Sequence, residues 1–232
     1  MTEAERRQFV KYTFFKVETA WRRLPEPERQ ESKKEFVGAV EHFAPTMLIR
    51  SYSLAGTRGD VDFMLWTVTD RLEALQAFAT RLASTHLGTY LTIPHSYLAM
   101  TRRSIYVATH THEGQEGTRL TVKPGGAKYL FVYPFLKTRE WYLLTQEARQ
   151  QMMDEHIAVG HKYPSVKINT AYSFGLDDQE FVVAFETDVP GDFLDLVMEL
   201  RQTAGSRYTL RDTPIFTCLA MGLPEVLDTL GR

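Results

Sequence analysis

Residues 9–18 (FVKYTFFKVE) are rich in aromatic and β-branched side chains, the pattern of a strand. Pro25 and Pro27 break it. Phe36, Val37, Val40 and Phe43 then recur at helical spacing and predict a helix over 28–43. Pro27 suits its first turn, where a missing N–H removes no helical hydrogen bond. Residues 47–54 and 62–68 read as strands around a turn marked by Gly56 and Gly59. Leu72, Leu75, Phe78, Ala79 and Leu82 form a helical stripe, and 96–107 predicts another strand. The order is β-α-β-β-α-β.

The same order follows a second time. Strands are expected over 128–135, 166–174, 180–186 and 214–221, with helices over 140–161 and 193–203. Weak self-similarity supports the repeat. Phe63 and Phe181, Asp70 and Asp188, Leu82 and Leu200, and Tyr90 and Tyr208 are identical pairs, each 118 positions apart. Leu75 and Phe193 keep that offset with an apolar residue at each, while Tyr52-Ser53 and Tyr172-Ser173 are 120 apart. The expected fold is therefore α+β, with two tandem ferredoxin-like units. The expected division is 1–108 for the first unit, 109–127 for a glycine-rich connector and 128–232 for the second. A lone unit of this order leaves one sheet face bare, and two bare faces can close into a barrel-like core.

Composition narrows the class. The 232 residues are 44% hydrophobic and 24% charged, which excludes disordered and collagen-like chains. With 27 Lys+Arg against 29 Asp+Glu, there is no chain-wide basic footprint for nucleic acid. No run approaches the roughly 18 apolar residues of a membrane span, and no apolar signal core follows the polar N-terminus. One cysteine, Cys218, cannot form an internal disulfide and reads as a buried small hydrophobe. A cytoplasmic protein is expected. Nucleotide-binding, serine-hydrolase, H-E-x-x-H and C-x-x-C signatures are all missing.

The candidate chemistry gathers in the second half. Stepping by four along 140–161 gives Leu144, Ala148, Met152 and His156, an apolar stripe that carries His156 inward. Such an imidazole is either a hydrogen-bonded core histidine or a metal ligand. No second donor at zinc spacing accompanies it, but a haem iron needs only one imidazole because the porphyrin supplies the rest. Just before it, Tyr133, Phe135 and Lys137 alternate at a strand end, and Trp141 follows at a helix start. A phenol, an ammonium and an indole so placed suit a flat aromatic acid, though an edge strand with a solvated lysine fits the same pattern. The pair His110 and His112 in the connector is weak as a metal site, and His161 suits a helix C-terminus.

The run YPFLKTREWY, the segment from Glu155 to Pro164, the block YSFGLDDQEFVVAFET (Tyr172 to Thr187) and SRYTLRDTPIFT (Ser206 to Thr217) resemble the chlorite dismutase family over nearly the whole chain. The resemblance implies a dimeric α+β barrel, often assembled as a homopentamer. It implies an oxidoreductase that binds haem in its C-terminal half. Two activities occur in the family. One turns chlorite into chloride and dioxygen. The other, coproheme decarboxylation, uses hydrogen peroxide to convert two propionates of coproheme to vinyls, giving haem b.

By the same resemblance, His156 is the proximal ligand of the haem iron, Tyr133 the catalytic tyrosine, Lys137 the lysine beside the reacting propionate and Trp141 the tryptophan beside the ring. Asn169 falls by spacing from His156 where chlorite dismutases carry a distal arginine. Arg119 and Ser206 are further expected contacts of the propionates. Without that arginine, and with Tyr133 and Lys137 present, the expectation is a coproheme decarboxylase. A chlorite dismutase or haem peroxidase, and a non-catalytic haem-binding protein, are the alternatives.

Overall fold

The computed structural model describes residues 7–106 and 120–231. The chain is α+β. Its first unit runs through β1 (Phe9–Val17), α1 (Thr19–Arg22), α2 (Glu26–Glu41), β2 (Leu48–Ser53), β3 (Phe63–Thr69), α3 (Leu72–Ala83) and β4 (Leu91–Met100). β1 lies antiparallel between β3 and β4, and β3 carries β2 on its other edge. Phe15, Val17, Phe63 and Leu65 meet Phe36, Val40, Phe78 and Leu82 in one apolar core. Tyr12, Phe14, Met64 and Trp66, on the opposite face, are almost fully buried as well. A side chain on either face is therefore under packing constraint.

The second unit, Thr101–Ile215, holds β5 (Tyr129–Lys137), α4 (Arg139–Leu143), α5 (Gln146–Gly160), β6 (Lys167–Tyr172), β7 (Phe181–Thr187), α6 (Pro190–Leu200) and β8 (Thr209–Arg211). β7 lies antiparallel between β6 and β5, and β8 borders β5. The helix expected over 140–161 is two helices. Leu144 has an extended backbone, and Thr145 caps α5, its side chain accepting from the Ala148 N–H at 3.2 Å. Leu144 thus drops out of the apolar stripe, while Met152 and His156 stay on α5.

The two units match element by element. From β1 through the second helix the offset is 120 positions, so α1 matches α4 and α2 matches α5. Trp21 and Trp141, both buried, sit at the same place in the short helices. From β3 onward the offset is 118.

Two boundaries differ from the expected division: the second unit begins at Thr101 rather than beyond residue 108, and it ends earlier than expected. Residues 128–232 were to form the second unit, but the chain from Phe216 onward joins the first. β9 (Phe216–Ala220) pairs antiparallel with β2, opposing Ala220 to Tyr52 and Leu219 to Ser53. Phe216 stacks on Phe14 with ring centroids 3.9 Å apart. α7 (Leu223–Asp228) sends Val226 and Leu227 into the core that holds Phe36. The partner of an edge strand is chosen by side-chain packing across the sheet, which local sequence does not display. No helix among the described residues is long and apolar enough to cross a membrane.

Candidate functional site

The register of the second sheet decides which side chains share a face. Phe131 opposes Phe185, which opposes Ile168; Tyr133 opposes Val183, which opposes Thr170. These six therefore lie on one face. Phe131, Val183 and Phe185 pack there against Val159 of α5 and Phe193 and Leu196 of α6. Phe193 stacks on Phe131 at 4.0 Å, and the Tyr133 ring lies over Phe185 at 5.9 Å. Burial raises the Tyr133 phenol above its ordinary value, with Asp212 adding to the shift and Arg201 opposing it. Asp212 and Arg201 form an ion pair at 2.5 Å. Tyr133 therefore keeps its proton at neutral pH.

At the end of β5 the ammonium of Lys137 is held rather than solvated. Its Nζ donates to the Gly205 carbonyl at 2.8 Å and lies 4.6 Å from the centre of the Trp141 ring. Burial pushes the Lys137 pKa down to about 8. The backbone beneath it is fixed by Glu180, which accepts from the Lys137 N–H at 2.9 Å and from the Tyr142 hydroxyl. Trp141 is buried and tilted against Tyr208. On α5, Glu155 accepts from the Ala204 N–H at 2.9 Å and ties the helix to the turn that presents Gly205.

His156 lies on α5 one turn beyond Met152, whose backbone and side chain border Gly205. Its pKa is pushed down to about 4, first by burial and then by the charge of Lys137. The imidazole is therefore neutral at physiological pH, the form in which it donates a lone pair to a metal. Among the described residues, no three or more His, Cys, Asp or Glu converge on a metal position. A donor set of one imidazole suits a metal that arrives in its own chelate.

The structure thus brings Tyr133, Lys137, Trp141 and His156 into one region of one unit. Other expected contacts fare differently. Asn169 pairs with Ala184, not Val183, and so faces away from Tyr133. Its buried Nδ2 has no hydrogen-bond partner among the described residues. The neighbours of Asn169 on the Tyr133 face are Ile168, which is 40% exposed, and Thr170, which is exposed as well. Ser206 has its hydroxyl within 2.8 Å of the carbonyls of Arg201 and Thr203, either of which can accept its proton. Arg119, His110 and His112 lie outside the described residues. Glu180, Gly205 and the Arg201–Asp212 pair are features the sequence did not single out. Glu180 stood inside the family-like block, but nothing in its spacing points to the start of α4.

These elements and this face define a chlorite dismutase-like α+β protein, whose second unit gathers an imidazole, an ammonium, an indole and a phenol. The chain belongs to the chlorite dismutase family: the family model "Chlorite dismutase" matches residues 11–221. It is 37% identical over 167 residues to the coproheme decarboxylase of Mycolicibacterium smegmatis, covering 72% of this chain and 70% of that one. It is 25% identical over 227 residues to the chlorite dismutase of Ideonella dechloratans, covering 96% and 76%. The structure of chlorite dismutase from Candidatus Nitrospira defluvii in complex with imidazole superposes with a TM-score of 0.87 at 29% identity, covering 95% of this chain and 94% of that one.

Proposed function

We propose that this protein is a coproheme decarboxylase, which uses hydrogen peroxide to convert two propionates of coproheme to vinyls and release haem b. The observation that carries this reading is the held ammonium of Lys137 against Trp141, in the same region as Tyr133 and the neutral His156. The 37% identical relative named coproheme decarboxylase supports it. In this reading coproheme is both substrate and redox centre, and the iron porphyrin supplies electron exchange with peroxide.

The residues then have separate tasks. The His156 imidazole is the protein's donor to the iron, and its low pKa keeps it unprotonated. Lys137 pairs with a propionate carboxylate, and Trp141 supports both the ammonium and the edge of the flat ring. Tyr133 holds its proton at Oη until an electron leaves with it. The phenoxyl so formed takes a hydrogen atom from the propionate side chain. Per propionate, carbon dioxide, one proton and two electrons leave, and peroxide is reduced to water.

The face that β6 shares with Tyr133 argues against chlorite chemistry. Neither Ile168 nor Thr170 carries a charge to hold a chlorine oxyanion, whereas an arginine would. The reading also includes assembly as a homopentamer in the cytoplasm, as the family resemblance implies; sedimentation checks the assembly. The test of the reaction is to load the protein with ferric coproheme, add peroxide in small steps and follow the porphyrin by mass spectrometry. Stepwise loss of two carboxyl groups is expected, and Tyr133→Phe should bind coproheme and leave it intact. Coproheme that binds but is only bleached would overturn the reading in favour of a haem carrier or peroxidase.

A further inference from the structure

Indoles and phenols give up an electron far more readily than phenyl rings, and those around Lys137 and Tyr133 sit in unlike electrostatic surroundings. Trp141 is buried and lies against Tyr208, with ring centroids 5.7 Å apart and planes tilted by 54°. The backbone fixes this contact: the N–H of Thr138, in the turn between Lys137 and Trp141, donates to the Tyr208 carbonyl at 2.8 Å. Tyr208 is half-buried, so the pair leads from a buried indole toward solvent. Both rings carry a cation. Lys137 Nζ lies 4.6 Å from the centre of Trp141, and the Arg207 guanidinium 5.4 Å from that of Tyr208. Tyr133 differs. Its ring is covered by Phe185 at 5.9 Å, and the charge that weighs most on it is the Asp212 carboxylate.

These signs matter once an electron is removed. A cation over a neutral indole is attractive. An indole that has lost an electron is itself positive, and an ammonium beside it in a partly dry site raises its energy. The Gly205 carbonyl keeps the ammonium in place at 2.8 Å. Arg207 is exposed and acts more weakly through screening water. The carboxylate beside Tyr133 has the opposite sign and does not oppose the loss of an electron there. We propose that the held ammonium of Lys137 guards Trp141 against one-electron oxidation, so that the oxidising equivalents of peroxide fall on Tyr133 and do not leak through Tyr208 to the surface. This role rests on the haem site proposed for the second unit. In the step that is suppressed, one electron passes from the indole to the peroxide-oxidised porphyrin and the Nε1 proton goes to water. Tyr208 would then refill Trp141 by giving up an electron and its phenolic proton. The guard is strongest when no carboxylate lies on Lys137, which is when no substrate stands ready to be oxidised.

The test is to load the full chain with haem b, add peroxide in the presence of tert-nitrosobutane, which bonds covalently to aromatic radicals, and map the adducts by peptide mass spectrometry. At equal haem occupancy, adducts on Trp141 and Tyr208 together should be at least about tenfold more abundant in Lys137→Met than in the wild type. Adducts on Trp21 and Trp66, in the first unit, serve as the internal reference and should stay level. Lys137→Arg, which keeps a cation, should keep Trp141 protected. Adding Trp141→Phe to Lys137→Met should return Tyr208 to the wild-type level. Equal labelling of Trp141 in the wild type and Lys137→Met, or none in either, would overturn the proposal. So would labelling in Lys137→Arg as heavy as in Lys137→Met. The adducts are counted on haem b, without any decarboxylation, so a chain that leaves coproheme intact and a chain whose Trp141 is unguarded give separate results.

Discussion

Replacing Lys137 with methionine should make the protein more stable and less able to hold a carboxylate. Burial lowers the Lys137 pKa to about 8 from the ordinary lysine value of 10.5, so the folded state pays for the charge whenever the lysine is protonated. Each pH unit between those two values is worth about 1.4 kcal/mol. The full difference would be about 3 kcal/mol; discounting for the partly exposed side chain leaves about 1–2 kcal/mol. The sign follows from proton counts. Between about pH 8 and the ordinary lysine value the unfolded chain binds more protons, so the wild type gains stability as pH rises. The advantage of Lys137→Met is therefore fully present below about pH 8 and fades as pH climbs toward the value of the unfolded chain. Urea melts of both proteins across this range read the difference directly, and effects of other groups cancel. Fluorescence titration with metal-free coproporphyrin reads the second half: the variant should bind more weakly at pH 7, and the wild type should lose its advantage above pH 8. A variant that is less stable at pH 7, or a stability gap that does not change with pH, would refute the burial argument.

Three further substitutions test the rest of the site. His156→Ala should abolish the protein's axial ligation of iron in the haem-loaded protein, changing the ferric spectrum, and added imidazole should restore it; an unchanged spectrum removes His156 from the iron. Ile168→Arg should tighten azide and chlorite binding by about tenfold or more, because a guanidinium would then stand on the open side of the ring; unaltered anion titrations would mean that Ile168 does not face it. Glu180→Gln weakens the acceptor shared by the Lys137 N–H and the Tyr142 hydroxyl, and should lower stability by about 1–3 kcal/mol, seen as a fall in melting temperature.

The repeat was legible because packing constraints recur in it: Phe63 and Phe181 begin equivalent strands, and Leu82 and Leu200 close equivalent helices. His156 was legible as an inward position even though Leu144 precedes the cap of α5, because Met152 and His156 share a face of that helix with Val159, its buried residue. The far side of the site was not. Counting from His156 reaches Asn169, but a strand alternates with period two, and a step of one residue exchanges Asn169 for Ile168 or Thr170 and one face for the other. Only the pairing with β7 resolves it. The last strand was misassigned for a related reason. Its pattern IFTCLAM says that it is buried, not that it pairs with β2.

That last strand bears on how the chain must be made. A ribosome delivers β1 first and β9 last, yet Phe216 lies on Phe14, and Val226, Leu227 and Leu230 share a core with Trp21 and Phe36. The growing polypeptide therefore carries an unfinished N-terminal half through almost the whole of translation. Synthesis that stops short of Phe216 strips the core of the first unit and leaves exposed the apolar surface that chaperones and proteases recognise.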